Sequence, residues 1–214
     1  MLFRPFMQTP EHEDIPGLYR RLRHPLFAWI GLRPIFAQHT RAEHEALQRW
    51  VRGRKTVVEI GVAEGGSAFA LRQAMPPNGA LYLIDPYHLS RIRWLNALRR
   101  AAHACVRVSN NGRVVWVEEF SAQAAAKWND TIDFILFDGD HAEEAVRSDW
   151  RAWHGFLRPG GVAAFHDARV FLGGWPAVSD GPVKLVDGLF RQNQPSEWNI
   201  VDEVHSLVIV QRSV

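Results

Sequence analysis

Short apolar runs alternate with segments of helical period from residue 55 almost to the C-terminus. Five runs rich in Val, Ile, Leu and Phe predict buried strands, at 56–60, 80–84, 114–118, 132–137 and 161–166. The segments between them predict helices at 66–75, 90–104, 121–128 and 142–157. The last helix is the clearest, since its apolar residues recur at three- and four-residue intervals: Ala142, Ala145, Val146, Trp150, Trp153 and Leu157. Regular alternation of this kind indicates a parallel sheet covered on both faces by helices.

The C-terminal end departs from this alternation. Two apolar runs, Trp198 to Val201 and Leu207 to Val210, are separated by only a few polar residues. Strands that close together form a hairpin, so the final strand should run antiparallel to the rest. The predicted fold class is therefore α/β: a Rossmann-like, mostly parallel sheet of seven strands, with an antiparallel last strand and helices on both faces.

The N-terminal segment of the chain, residues 1–50, has a different character, and we call it the cap. Residues 1 to about 40 are rich in Pro, Arg and aromatic residues and predict an irregular or partly helical structure. A helix is expected from Arg41 to Val51, with Ala42, Leu47 and Trp50 on its buried side. The apolar stretch Pro25–Ala37 is short and broken by Pro34, so a lid over a site or a dimer contact is favoured over a membrane interface.

Charge adds one further feature to the cap. Formal net charge is only +2, although 22 of the 25 basic residues are arginines. Many of these arginines lie in the N-terminal third: Arg20, Arg21, Arg23, Arg33, Arg41, Arg49, Arg52 and Arg54. Such a face could meet nucleic acid, anionic lipid or an anionic substrate, but a solvated helix surface is the ordinary explanation. The near-zero total argues against a dedicated nucleic-acid binder.

Cysteine content and hydropathy indicate the cellular compartment of the protein. The single cysteine, Cys105, excludes an intrachain disulfide and indicates a reducing compartment. The first ten residues lack the apolar core of a signal peptide, and no uninterrupted apolar run reaches membrane-spanning length. The sequence predicts a cytoplasmic protein with no membrane span.

The first predicted strand runs into a glycine-rich turn that reads Glu59-x-Gly61-x-x-x-Gly65-x-Ser67. A strand that ends in glycines and opens a helix brings bare backbone N–H groups against a ligand. A carboxylate at this place, Glu59, repels phosphate but suits a cation or a pair of hydroxyls. The match to a dinucleotide fingerprint is only partial, since Ala63 replaces the second glycine. S-adenosylmethionine therefore fits the turn better than a dinucleotide.

The second predicted strand ends in Asp85, 24 positions after Gly61. A neighbouring parallel strand would place a carboxylate at about this point on ribose hydroxyls. Taken alone, Asp85 is equally well explained as a turn or helix-capping residue before Pro86. Considered together with the first turn, it favours a ligand-binding role.

Acids and imidazoles cluster where the next strands end. Asp138, Asp140 and His141 follow the strand at 132–137, and His166 and Asp167 end the strand at 161–166. Each has an ordinary explanation as a cap, a turn residue or a partner of the backbone. Five together at two adjacent strand ends, where open α/β folds bind ligands, indicate a site. Carboxylates with imidazole suit a divalent metal such as Mg²⁺ or Mn²⁺.

On these three motifs, in this order, the chain resembles class I S-adenosylmethionine-dependent methyltransferases, especially small bacterial metal-dependent O-methyltransferases. The resemblance runs from about Thr56 through Ala168. It assigns these residues to the cofactor: Glu59, Gly61, Gly65, Ser67, Asp85, Tyr87, Phe120, Ser121 and Asp138. Phe120 and Ser121 stand at the adenine turn of that family without its usual glycine and aspartate, and Ser121 could instead be a helix N-cap.

The same resemblance assigns the chemistry. It implies that Asp138 and Asp167 bind a divalent metal, and that His166 supplies a further ligand because Ala168 replaces the usual Asn. It makes His141 the candidate general base. A hydroxyl is a poor nucleophile until it is deprotonated, and a metal with a nearby imidazole would achieve this at neutral pH.

The sequence thus predicts a cap, 1–50, followed by an S-adenosylmethionine-binding methyltransferase domain, 51–214. The predicted reaction is O-methylation of a small molecule or a sugar-containing metabolite, assisted by Mg²⁺ or another divalent metal. The expected partner is a small-molecule hydroxyl acceptor and not a nucleic acid, and homodimerisation through the cap is compatible with the sequence. Two alternatives stay open: an RNA methyltransferase that docks through the arginine-rich cap, and a non-catalytic protein that kept the cofactor pocket. A dinucleotide oxidoreductase is disfavoured by Glu59.

Overall fold

The computed structural model describes residues 25–32, 34–87, 96–192 and 197–214, and the backbone of residues 7–8. Within these ranges two short strands, β1 (Met7–Gln8) and β2 (Ile35–Phe36), pair in parallel and form a separate two-stranded sheet. The strands of the main sheet are β3 (Thr56–Ile60), β4 (Ala80–Ile84), β5 (Arg113–Val117), β6 (Ile132–Phe137), β7 (Leu157–Phe165), β8 (Trp198–Val204) and β9 (Leu207–Arg212).

These seven strands lie in the order β5-β4-β3-β6-β7-β9-β8. The pairs from β5 to β7 are parallel, whereas β9 runs antiparallel to both β7 and β8. The predicted seven-stranded, mostly parallel sheet with an antiparallel last strand is therefore confirmed. Strand β7 begins four residues earlier than predicted, because Leu157 already pairs with Ile132 before a register shift.

The α-helices of the described residues are α1 (Pro25–Trp29), α2 (Arg41–Val51), α3 (Gly66–Ala74), α4 (Ala97–Val106), α5 (Ser121–Ala125), α6 (Glu143–Trp153) and α7 (Gly181–Val186). A 3₁₀ turn, His154–Phe156, extends α6, and a π-helical turn, Asp187–Arg191, extends α7. The predicted helix at 90–104 is seen from Ala97, since residues 88–95 lie outside the described ranges.

Two hydrophobic clusters cover the two faces of the sheet. One contains residues of α2, α3 and α4, and the other contains residues of α5, α6 and α7. Neighbouring strand residues alternate between them: Val57 and Phe134 belong to the first cluster, and Val58 and Ile135 to the second. This alternation follows from the two-residue period of a strand, and it places helices on both faces as predicted.

Helix α2 carries one residue on its inner face that the sequence did not predict. Its buried residues are Glu43, Ala46, Leu47 and Val51, whereas Ala42 and Trp50 are only half-buried. The expectation is confirmed for Leu47, and Trp50 packs against the first cluster although it is half-buried, whereas the innermost face also carries an acid, Glu43, that was not expected there. Glu43 is tolerated there since it forms a capping box with Thr40, whose backbone N–H donates to Glu43 Oε2 at 2.6 Å.

None of the helices in the described part of the chain has the length and apolar character that a membrane crossing requires.

Candidate active site

A cavity of about 1050 Å³ opens at the carboxyl ends of β3, β4 and β6. It lies where the chain order of the sheet reverses, since β3 is flanked by β4 on one side and β6 on the other. Open α/β sheets bind ligands at such a switch point. The cap also contributes, because Pro25 and Gln38 line the same cavity. The volume is sufficient for a nucleoside-sized cofactor together with a small second ligand.

The turn after β3 has no room for side chains at its glycines. Gly61 has a φ of +83°, and a Cβ built there would overlap the carbonyl group of Asp138. Gly65 has a φ of +86° and forms the N-cap of α3 in the left-handed conformation. Gly61 therefore requires glycine, whereas Gly65 favours it because of its positive φ and because a Cβ would lie 3.1 Å from Ala102 Cα. The close approach of Gly61 to Asp138 brings β3 and β6 together at the cavity.

Beneath this turn lies Glu59, which is completely buried. The hydroxyl of Ser67 donates to Glu59 Oε1, whereas Oε2 has no hydrogen-bond partner in the described part of the chain. Burial raises the pKa of Glu59, and the hydrogen bond from Ser67 only partly opposes this. Gly61 lines the cavity, but Glu59, Gly65 and Ser67 are not among its lining residues.

Asp85 combines the two roles considered for it. Its Oδ2 accepts hydrogen bonds from the backbone N–H groups of Val62, at 3.0 Å, and Ala63, at 3.2 Å, and its Oδ1 accepts from Tyr87 N at 2.8 Å. Asp85 therefore fixes the glycine-rich turn, and it also lines the cavity. A carboxylate has about four lone-pair sites, so capacity for ligand hydroxyls remains.

Two predicted cofactor neighbours occupy other parts of the wall. Tyr87 lines the cavity with a buried hydroxyl that has no partner within the described residues, and burial raises the pKa of Tyr87. Phe120 and Ser121 also line it. The N-cap of α5 is Phe120 and no side chain caps this helix, so the suggestion that Ser121 is the N-cap was wrong. The Ser121 hydroxyl instead accepts a hydrogen bond from Trp153 Nε1 at 2.8 Å.

His141 presents its imidazole to the cavity, with 44% of its side chain exposed. Its Nε2 lies 3.6 Å from Asp167 Oδ2, and Trp175 Nε1 donates a hydrogen bond to Asp167 Oδ1. Asp140 also lines the cavity, and it holds the backbone before α6 by accepting from Ala142 N at 2.9 Å. The structure thus brings His141 and Asp167 together, although they come from different strands.

A buried charged cluster lies behind these residues. His166 Nδ1 is 3.1 Å from Asp138 Oδ1 and 3.5 Å from Asp167 Oδ1, and its Nε2 is 3.7 Å from Glu43 Oε2. Burial lowers the pKa of His166, but the surrounding carboxylates, Asp138 foremost, outweigh burial and raise this pKa well above its ordinary value. Burial likewise opposes the charge of Glu43, yet His166 and the hydrogen bonds that Glu43 accepts lower its pKa to about 2. The cluster is therefore an ion-paired one.

Sequence reasoning missed Glu43. The only available signal was the spacing of Thr40 and Glu43, which is typical of a capping box and predicts a helix start rather than a site. Glu43 joins the site because Ser206, in the turn between β8 and β9, donates to it through its backbone N–H at 2.8 Å and its hydroxyl at 2.6 Å. This contact joins residues 163 positions apart, which no local pattern reveals.

Asp138, His166 and Asp167, the predicted metal ligands, do meet in space. Among the described residues, however, no group of three or more His, Cys, Asp or Glu side chains is arranged to hold a metal ion. Nδ1 of His166 faces both carboxylates at ion-pair distance, and Asp167 already accepts the indole N–H of Trp175. As arranged, these residues fit an internal ion pair and not a metal centre, so we derive no step through a metal.

A family model described as a methyltransferase domain matches residues 58–168, which is more than half of the chain. The chain therefore belongs to this methyltransferase family. The match begins in β3 and ends just after β7, so it spans the glycine-rich turn and the strand ends that form the cavity.

Solved structures show the same fold. An O-methyltransferase from Bacillus cereus, in complex with S-adenosylhomocysteine, is 15% identical, with 93% of each chain covered and a TM-score of 0.59. TomG from Streptomyces achromogenes, an O-methyltransferase involved in tomaymycin synthesis and solved with S-adenosylmethionine, is 16% identical, with 94% of this chain and 92% of that chain covered and a TM-score of 0.60. An rRNA methylase from Streptococcus thermophilus is 13% identical, with 83% of this chain and 100% of that chain covered and a TM-score of 0.56. Family and fold together make the protein a class I S-adenosylmethionine-dependent methyltransferase.

Proposed function

We propose that the protein transfers the methyl group of S-adenosylmethionine to a hydroxyl oxygen of a small molecule. The observation that carries this proposal is the pair formed by His141 and Asp167 at the edge of the cavity. An imidazole that faces both a carboxylate and an open cavity is placed to accept the proton of a bound hydroxyl. The names of the two O-methyltransferases of the same fold agree with this chemistry.

The cavity wall suits a cationic methyl donor. Within the described ranges, four carboxylates line it, from Asp85, Asp138, Asp140 and Asp149. The sulfonium group of the cofactor carries a positive charge, which this wall attracts, whereas a dinucleotide would bring phosphates against it. We assign the ribose hydroxyls to Asp85 and the adenine to the side of Phe120 and Ser121, and we place Asp138 near the sulfonium.

The proposed methyl transfer needs little from the protein beyond the positioning of the two reactants and a general base. The acceptor oxygen attacks the methyl carbon as the carbon–sulfur bond breaks, which leaves a methyl ether and S-adenosylhomocysteine. The proton of the acceptor passes to His141, and because Nε2 faces Asp167, Nδ1 is the nitrogen that receives it. Asp167 stabilises the imidazolium that forms, and Trp175 fixes the orientation of Asp167. Assistance by Mg²⁺ or another divalent metal stays a prediction, which a chelator titration of methyl transfer tests.

The direct test is methyl transfer to a panel of catechols and sugar-linked hydroxyl compounds, with S-adenosylhomocysteine release as the readout. The wild-type chain should methylate members of the panel. His141→Gln should reduce kcat by about 10²- to 10⁴-fold, since general-base catalysis contributes this much, while cofactor binding is retained. His154→Gln, at a half-buried histidine outside the cavity, is the matched control and should leave kcat unchanged. Equal kcat in His141→Gln and wild type would contradict the role of His141.

The RNA methyltransferase alternative has one observation in its favour, the shared fold of the rRNA methylase from Streptococcus thermophilus. Its proposed docking face includes Arg20, Arg21, Arg23 and Arg33, which lie outside the described residues. It predicts RNA binding that weakens steeply with salt, because phosphate contacts release counterions. Electrophoretic mobility shifts at two salt concentrations separate the alternatives, since a small-molecule enzyme should give no salt-sensitive shift.

A further inference from the structure

The loop that follows β7 exposes an apolar surface. Residues 170–179, which we call the apolar loop, contain no charged side chain. Four of the eleven exposed large apolar side chains of the described residues lie within it: Val170, Leu172, Trp175 and Val178. Leu172 is fully exposed, and 76% of Val178 is exposed. Exposed apolar residues that are scattered need no explanation, whereas a cluster of them marks a binding surface.

Both ends of the apolar loop are tied to the pair formed by His141 and Asp167. Asp167 lies three residues before the loop and accepts the hydrogen bond from Trp175 Nε1, within the loop. Just after the loop, the backbone N–H of Gly181 donates to the carbonyl oxygen of His141 at 3.1 Å. The apolar loop therefore flanks the edge of the sheet at which the proposed base lies.

One side of the apolar loop is packed, which fixes the opposite side as a surface. The ring of Phe171 stacks on that of His205, with centroids 4.9 Å apart and an interplanar angle of 9°. The same ring fills the space at Gly174, whose backbone N–H donates to the carbonyl oxygen of Phe171 at 3.0 Å. Pro176 is buried. The exposed apolar side chains thus extend from a loop whose inner residues are held in place.

The position of the apolar loop relative to the cavity indicates which ligand it meets. Its residues do not line the cavity, whereas His141 does. The cavity must hold the nucleoside of the cofactor, so only the part of an acceptor that bears the hydroxyl has to enter it. The remainder of a larger acceptor would lie outside, across the apolar loop beside His141.

Charge on the flanks of the apolar loop is already paired. Arg169, just before it, lies 3.6 Å from Glu203 Oε2. Asp180, just after it, accepts from the backbone N–H of Ala177 at 2.8 Å. A nucleic acid is held mainly through its phosphates, and the apolar loop has no cation to offer them. An uncharged apolar group, in contrast, is stabilised by removal of its surface from water.

Building on the proposed function, we infer that the acceptor is amphipathic: its hydroxyl lies at His141, and an uncharged apolar body, an alkyl chain or a ring system, lies across the apolar loop. A free sugar and an RNA both lack such a body. Leu172 and Val178 are thereby specificity residues for the acceptor. They act on its binding and take no part in the transfer of the methyl group or the proton.

Calorimetric titration of the full chain, saturated with S-adenosylhomocysteine, with 4-methyl-, 4-propyl- and 4-pentylcatechol tests this inference. Each added methylene that the apolar loop buries should tighten binding by about three- to fourfold. With S-adenosylmethionine instead, kcat/KM for methyl transfer should rise in the same order, at nearly constant kcat.

A double variant, Leu172→Ser with Val178→Ser, should remove most of this dependence on chain length. The matched control is Val108→Ser, which makes the same substitution at an exposed valine that lies just after α4 and does not line the cavity. It should keep the full dependence on chain length.

Equal binding of the three catechols by the wild-type chain, or binding of none, would overturn the inference, while methyl transfer to other hydroxyl compounds would leave the proposed function standing. An undiminished dependence in the folded double variant would also overturn it, because the apolar body would then lie elsewhere. So would a dimer in sedimentation velocity that the double variant dissociates, since a second copy of the chain would then cover the loop. Chain-length-dependent binding without any methyl transfer would overturn the proposed function, and the assignment of the acceptor with it.

Discussion

Gly61 lies where the chain leaves β3, and its missing side chain lets the backbone of Asp138 approach. Gly61→Ala should lower the free energy of unfolding by about 2–4 kcal/mol, from overlap with Asp138 and from the positive φ. Urea denaturation measures this. Gly53→Ala is the matched control, because Gly53 has a φ of +76° with nothing within 4 Å of its Cβ position. Gly53→Ala should lower the free energy of unfolding by only about 1–2 kcal/mol. An equal decrease for the two variants would contradict the explanation by close approach of Gly61 to Asp138.

Trp175 contributes one hydrogen-bond donor to the site. Its indole Nε1 donates to Asp167, which faces His141. Trp175→Phe keeps an aromatic ring and removes the donor, so we expect kcat to fall by up to about tenfold with little change in KM or stability. Trp128→Phe serves as the control, since Trp128 Nε1 donates to the backbone of Asp130 and Trp128 does not line the cavity. Unchanged kcat in Trp175→Phe would show that Asp167 needs no such support.

At the residue scale, the functional residues that follow the strands could be predicted from the sequence, but the side chains that they contact could not. Gly61, Asp85 and His141 could be predicted because each follows a strand and so lies at the carboxyl edge of the sheet. The ion pair of His166 with Glu43 could not, because it depends on how α2 rotates on the sheet and on where Ser206 lies. Trp175 was expected as a wall of the acceptor pocket, but its hydrogen bond to Asp167 was hidden, since a loop gives no register from which the indole can be placed.

At the scale of elements, helix α2 bears a buried acid on which its packing depends. Glu43→Gln removes the charge that faces His166 and should destabilise the fold by about 3 kcal/mol, since it leaves a buried cation less well compensated. Glu45→Gln, on the same helix, alters only an exposed ion pair with Arg41. Its free energy of unfolding should stay within about 0.5 kcal/mol of wild type. Thermal and urea unfolding compare the two, and similar losses would argue against the buried ion pair.

The segment before α2 should give the protein a measurable acid sensitivity. Burial, together with the positive charge of His166, lowers the pKa of His39 to about 3. Below about pH 6.5 the unfolded chain binds a proton at this residue, whereas the folded chain stays neutral there until about pH 3. The unfolded state therefore binds more protons in this window, so stability falls as the pH falls, by up to about 1.4 kcal/mol per pH unit from His39.

Urea denaturation between pH 6 and pH 4 tests this expectation. His39→Gln should flatten the decline in unfolding free energy relative to wild type, because its side chain does not titrate. Parallel pH profiles for the two proteins would show that His39 is not the group responsible.

The strand and helix bounds were predicted well where local pattern is sufficient. Strands β3, β4 and β6 begin and end as expected because each is a continuous apolar run between turn residues. The burial of Glu43 on α2 was not predicted, because the hydrophobic pattern cannot anticipate that an acid is satisfied there by the backbone N–H groups of Thr40, just before the helix, and of the distant Ser206.

At the scale of the whole molecule, the parallel sheet brings functional residues from distant parts of the chain to one edge. The glycine-rich turn, Asp85, and the pair Asp138 and His141 belong to three βα units, and the parallel direction of β3, β4 and β6 brings them around one cavity. This arrangement follows from topology, so the sequence could predict it. The size of the cavity, and the share of its wall that comes from the cap, depend on tertiary packing and could not be predicted.

The central claim is that this cavity binds the methyl donor, with its ribose at Asp85 and its adenine beside Phe120 and Ser121. A crystal structure of the full chain grown with S-adenosylhomocysteine tests it most directly. We predict the nucleoside within hydrogen-bond distance of Asp85, and the sulfur directed toward Asp138 and His141. A cavity left empty at saturating ligand, or a nucleoside bound elsewhere on the chain, would contradict the account.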